Sequence, residues 1–227
     1  MANFGERIKS YTGIASISDI EFLANSWLTS AAKDVINVLP PQILYIAGKS
    51  VSITAPTSNT SVPQSRILGV ERINGPGQIS HECKEIPHTK RGVYHSKSGF
   101  VEEASAESPV FYRLNNNIHI LPTLGTSGPQ DEIAVATITY VNYPVVEIDN
   151  TSISSFPDEI ENLVALKASV YGKFYQIGLA NTEEDLEVAT SHTNHMSALN
   201  QEYTMCLQNF LSGYQLNMKE QGVTNDS

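Results

Sequence analysis

The sequence predicts an α+β fold: a helical bundle core, built from an N-terminal helix and two C-terminal helices, with a β-rich domain inserted between them. Three observations carry this. Apolar residues recur at three- and four-residue spacing from Ile20 to Leu39 and again from Phe156 to Phe210. Between Gln42 and Asn150 that period gives way to short β-branched runs punctuated by Gly, Pro and Asn. Pro40-Pro41 stands at the first change of period. The expected boundaries are 1–41 and 151–214 for the helical core, 42–150 for the insertion, and 215–227 for a flexible C-terminal tail.

Phe4, Ile8 and Tyr11 fall on one helical face, and Thr12-Gly13 supplies a stop, so a short helix opens the chain. Ser18-Asp19-Ile20-Glu21 has the spacing of a capping box. Behind it Ile20, Leu23, Trp27, Leu28, Ala31, Val35 and Leu39 follow at helical period until Pro40. Trp27, in the middle of that stripe, is expected in the core.

In the insertion, Ile43–Ala47 and Val51–Thr54 read as strands around Gly48-Lys49. Residues 55–65 read as a Pro, Ser, Thr and Asn loop, and Ile67–Ile73 as a strand turned by Asn74-Gly75-Pro76-Gly77. Val110–Leu114 and Ile118–Leu121 form a hairpin across Asn115-Asn116-Asn117, because asparagine tolerates the positive φ of tight turns. Ile133–Tyr143 is a long closing strand.

The helix the fold is organised around comes next. Ser155 and Pro157 precede Asp158, Glu159 and Glu161, which sit at the positive end of the helix dipole, and Gly178 is placed to cap the other end. Phe156, Ile160, Leu163, Val164, Val170, Tyr171, Phe174 and Ile177 make its apolar face. Thr182 then caps a last helix in which Ala189, His192, Met196, Leu199, Tyr203, Cys206 and Phe210 form an a/d seam ending near Gly213. The seam reads as unpartnered, a surface for assembly.

Composition excludes several classes. Fourteen Lys and Arg against 24 Asp and Glu leave a formal charge of -10, which argues against gripping nucleic-acid phosphates or anionic membranes. Residues 157–227 alone carry ten acidic side chains against Lys167, Lys173 and Lys219. No apolar run reaches membrane-spanning length and no leader pattern opens the chain, so a soluble protein made in the cytoplasm is expected. Cys83 and Cys206 are too few for a disulfide framework and read as reduced thiols.

No catalytic, cofactor-binding or metal-ligating residue is assigned, and the protein is not expected to be an enzyme. His81, Glu82, Cys83, Glu85, His88 and His95 gather possible metal ligands. A zincin helix would need histidine at Glu85 and would be broken by Pro87, so an ordinary polar loop with one semi-buried thiol is the better reading. His192 and His195, three apart, lack an accompanying Glu-x-x-His and read as packed polar residues. Gly125-Thr126-Ser127-Gly128-Pro129 lacks the last glycine of a nucleophile elbow. Lys84, Lys90, Arg91 and Lys97 surround Tyr94 as a basic patch, read as a solvated face or a contact for an acidic partner.

Three passages bear a family resemblance. DIEFLANSWLTSAAKDVINVLPPQIL, SPVFYRLNNNIHILP and FPDEIENLVALKASVYGKF resemble, in order, the N-terminal helix, the hairpin and the Phe-Pro-Asp-Glu helix of head-to-tail connector (adaptor) proteins of tailed bacteriophages, in particular virion structural proteins of marine and cyanobacterial phages. The resemblance spans residues 1–178. It implies a homo-oligomeric ring, commonly dodecameric, at the head–tail junction of the virion. Its partners would be other copies of itself, the portal protein, and tail or nozzle proteins, with DNA passing through the channel without sequence-specific binding. It also implies that the C-terminal extension grips the portal, and an acidic channel would let DNA slide, because it removes counterion release.

Other readings remain at this point. One is a tail-terminator, tail-tube or baseplate component. Another, of a different class, is a small metal-dependent enzyme using His81, Cys83 and His88.

Overall fold

Asn3 starts the first helix through a reciprocal cap: its side chain accepts the Glu6 N–H at 2.8 Å, and the Glu6 carboxylate accepts the Asn3 N–H at 3.2 Å. The computed structural model describes residues 2–54, 57, 59–62, 65–74, 79–94, 104–124 and 134–223, with side chains as far as Tyr214. The fold is α+β, and the chain divides into two compact units, Met1–Ile46 with Tyr143–Ser227, and Ala47–Asn142.

The first unit is helical. Helix α1 (Phe4–Thr12) ends at Gly13, whose φ of 70° satisfies the left-handed cap, and α2 runs Glu21–Val38. The expected capping box at Ser18 is absent: Ile17–Ile20 is a 3₁₀ turn and α2 starts behind it without a side-chain cap. Residues 41–44 form a one-turn helix, α3 (Pro41–Leu44), followed by a 3₁₀ turn, Tyr45–Ala47. The strand expected at Ile43–Ala47 is therefore helical. Pro41 at N1 breaks from α2 and starts a new turn, and Ile43 and Leu44 bury themselves from it.

Helix α4 (Asp158–Thr182) packs against α1, α2 and α5 (Leu186–Val223). With neighbours on three sides, residues 160–169 are buried nearly all round, Ile160, Leu163, Val164, Leu166 and Ala168 among them. Gly172 permits the closest approach: a Cβ there would lie 3.2 Å from Thr12 Cγ2 and 3.3 Å from Trp27 Cζ3. Pro157, not Ser155, is the N-cap; Ser155, at φ 68°, sits in the turn closed by Phe156 N–H on the Ile153 carbonyl.

Gly178 does not end α4, and Thr182 does not cap α5. Thr182 donates to the Gly178 carbonyl, and the end is a Schellman arrangement, Asp185 N–H to Ala180 O at 3.0 Å and Glu184 N–H to Asn181 O at 3.3 Å, with Glu184 at φ 58°. Asp185 then caps α5 by accepting the Val188 N–H at 3.0 Å. Helix α5 passes through Gly213 to Val223, so residues 215–223, expected as a flexible tail, are helical; a single interior glycine costs only about 1 kcal/mol, and no proline follows. The Tyr214 hydroxyl donates to the Gln42 carbonyl at 3.1 Å, tying this end of α5 to α3.

The segment between residues 143 and 157 is fastened by polar groups of α1 and α2. Asn25 Oδ1 accepts the Ile148 N–H at 2.8 Å, Thr29 Oγ1 accepts the Val146 N–H at 3.2 Å, and Gly5 N–H reaches the Ile148 carbonyl at 2.9 Å. These backbone groups thus keep partners where the segment packs against the helices.

The second unit is a β-sandwich. One sheet has the order β1-β8-β3-β4, from β1 (Lys49–Thr54), β3 (Ser65–Ile73), β4 (Ser80–Glu82) and β8 (Val135–Asn142). The other has the order β2-β7-β6-β5, from β2 (Asn59–Ser61), β5 (Lys84–Glu85), β6 (Val110–Leu114) and β7 (Asn117–Leu121). Inner-face residues Ile53, Val70, Ala136 and Ile138 of the first share one core with Phe111, Ile118 and Ile120 of the second. The β6–β7 hairpin turns on Asn115 and Asn116, at φ 50° and 62°, with Asn117 already paired to Leu114. Residues 55, 56, 58, 63, 64, 75–78 and 125–133 lie outside the described residues; within the stretch expected as a loop from 55 to 65, Asn59–Ser61 is instead the strand β2.

Candidate functional site

The helical unit carries an open groove of about 630 Å³, lined by Trp27 and Ser30 of α2 and by Tyr171, Phe174, Tyr175, Gly178 and Leu179 of α4. It lies on a face of α4 that the other helices leave uncovered. Phe174 is 69 % exposed and Leu179 46 %, while Leu163 and Leu166, up to three turns earlier on the same helix, are buried. Trp27 is correspondingly half-buried instead of central to the core, its ring 5.6 Å from that of Tyr175. Periodicity marks an apolar face and not how far a neighbour covers it, which is why Trp27 and Phe174 read as core.

The groove is firm at one edge. The Tyr171 hydroxyl donates to Asp34 on α2, and burial followed by that acceptor pushes its pKa up to about 12, so it stays a neutral donor. Lys167 lies over the rings of both Tyr171 and Tyr203, at 5.6 Å and 5.3 Å, joining α4 to α5 beside the groove.

The seam of α5 has a partner. Ala189, Leu199 and Tyr203 are buried, His192, Met196, Cys206 and Phe210 half-buried, and α4 is the helix they meet. The expectation of an unpartnered assembly seam is therefore wrong: a heptad stripe identifies a packing face but not whether the partner belongs to the same chain.

Lys173 is enclosed at that contact, 3 % exposed, with Nζ 3.4 Å from His192 Nδ1. No carboxylate forms an ion pair with it among the described residues. Burial lowers its pKa. Burial, then Lys173, then His195 lower that of His192, and burial, then Lys173, lower that of His195. Of the pair expected to be packed polar residues, His192 is half-buried against Lys173 and His195 is exposed, both favour the neutral form, and periodicity alone does not show that Lys173 joins them.

The loop that gathers possible ligands does not converge. His81 lies on β4 opposite Arg72, Cys83 is buried between β4 and β5, His88 is exposed in a 3₁₀ turn, and Glu85 pairs with Arg113 at 2.9 Å. Burial pushes the Cys83 thiol up to about 12, which suits a packed thiol and not a thiolate ligand. Among the described residues no three His, Cys, Asp or Glu gather around a common point; His95 lies outside them. Lys84, Lys90 and Arg91 are exposed as expected and Tyr94 is half-buried; Lys97 lies outside the described residues.

No helix among the described residues is long and apolar enough to cross a membrane. The chain matches no protein-family model and no curated protein.

Proposed function

We propose that this chain is a virion structural protein that assembles into a homo-oligomeric ring, as the head-to-tail connector between portal and tail of a tailed bacteriophage. The observation that carries the reading is the groove: its aromatic and aliphatic lining lies open on the outside of the helical unit, and apolar surface of that kind belongs to protein contacts. The passages that resemble connector proteins supply the kind of assembly. The acidic α4–α5 hairpin adds to it, since a surface on which carboxylates outnumber cations does not hold the phosphates of DNA moving past it.

Negative-stain images of the purified full chain, alone and with the portal protein, test this. Closed rings of one size that sit on the portal are the expected result. A particle of one chain at every concentration, or one that ignores the portal, contradicts it.

A further inference from the structure

The excess charge of the chain resides in one of its two units. Residues 1–46 and 143–227 hold sixteen Asp and Glu against six Lys and Arg, whereas residues 47–142 hold eight of each. Between Lys173 and Lys219 there is no Lys or Arg. The connection from α4 to α5 lies in that stretch and leaves Glu183, Glu184, Asp185 and Glu187 exposed. The groove opens beside this acidic corner, because Leu179, part of its lining, is the residue whose carbonyl accepts the Glu183 N–H.

The complementary sign is carried by the same chain. On the sandwich, Lys84 of the edge strand β5 and Lys90 and Arg91 of the turn that follows it are exposed, and the intervening carboxylate, Glu85, is already engaged by Arg113. The acidic border of the apolar seat on one unit and the basic edge of the other are thus complementary in charge.

We propose that the groove is the seat of a second copy of this chain, whose Lys84–Arg91 edge docks against the acidic α4–α5 corner so that the copy covers Trp27 and Phe174. The two surfaces are different and every copy offers both, so the contact either pairs reciprocally in a two-fold dimer or propagates to a closed ring or an open filament. Only the closure into a ring rests on the function proposed above. Charge complementarity sets orientation and encounter rate, and the aromatic groove provides the buried anchor.

Trp27 is the only tryptophan in the chain, so its emission reports whether the groove is covered. Emission and sedimentation of the full chain are followed together across a dilution series at low and high salt. The expected result is a blue shift of Trp27 that tracks association, with association weakened roughly tenfold or more by high salt. Phe174→Ser, at a side chain the fold leaves exposed, removes both while the melting temperature stays put. A Lys90→Glu, Arg91→Glu variant and a Glu183→Lys, Glu184→Lys variant each fail to associate alone and associate when mixed.

Association without a Trp27 shift, or unaffected by Phe174→Ser, overturns the groove as the seat and leaves the ring reading standing. A discrete dimer that depends on Phe174 and on the charge pair keeps the docking and overturns ring closure. Indifference to salt and to charge reversal overturns the basic edge as the partner face, and a chain that stays monomeric overturns both readings.

Discussion

Lys173 Nζ on α4 lies 3.4 Å from His192 Nδ1 on α5, a buried amine facing an imidazole at the contact between the two longest helices. His192 and His195, both held below the ordinary histidine value of 6.5, favour the neutral form in the folded chain. The unfolded chain then binds more protons just below that value, so stability is full above about pH 6.5 and falls as pH drops through the histidine range. His192→Gln flattens that dependence. Thermal melts from pH 7.5 down to about 5 check it; a melting temperature that rises on acidification contradicts it.

Glu161 is a second buried charge with a specific task. It is 1 % exposed, and its Oε1 accepts the Ile153 N–H at 2.6 Å while Oε2 stands 3.9 Å from Arg7 Nη1. Glu161→Leu leaves the Ile153 N–H without a partner and should cost about 1–3 kcal/mol. Glu161→Gln keeps an acceptor and should cost less. Urea melts of the two variants decide it, and equal losses would mean that the hydrogen bond is not what Glu161 contributes.

Leu163 and Phe174 lie on the same helix and read alike in the sequence, yet the fold buries the first and exposes the second. Leu163→Ala should cost about 2–5 kcal/mol, through lost burial and the cavity left behind. Phe174→Ser should stay within about 0.5 kcal/mol of the parent, as surface substitutions do. Denaturant unfolding of the monomeric protein separates them; a large loss for Phe174→Ser would place that ring in the core.

In the sandwich, Asn116→Val puts a β-branched residue at a φ of 62° and should lower stability by about 1–2 kcal/mol. Asn116→Gly should be neutral or better. The melting temperatures of the two variants are the check, and a tolerated valine would show that the turn relaxes to another type.

The parts of this fold that the sequence made legible are those set by local chemistry. Gly13 ends α1, Asn115-Asn116 turns the β6–β7 hairpin, and the change of period at Pro40 marks where α2 gives out. What stayed hidden depends on neighbours. Gly178 and Gly213 sit inside helices because a lone glycine is a small cost against continued helix hydrogen bonding, and Ile43–Ala47 is a short apolar run that periodicity cannot divide between strand and helix. The groove escaped for the same reason: Trp27 and Phe174 have the spacing of core residues, and only the fold shows that no helix covers this face of α2 and α4.

We propose this chain as a component of the junction between phage head and tail. The most direct measurement is electron microscopy of virions carrying an epitope tag on it, labelled with gold. Label on a single vertex per particle, at the point where the tail joins the head, is the predicted result. Particles that carry no label, with the tagged chain found only in the lysate of infected cells, would contradict it.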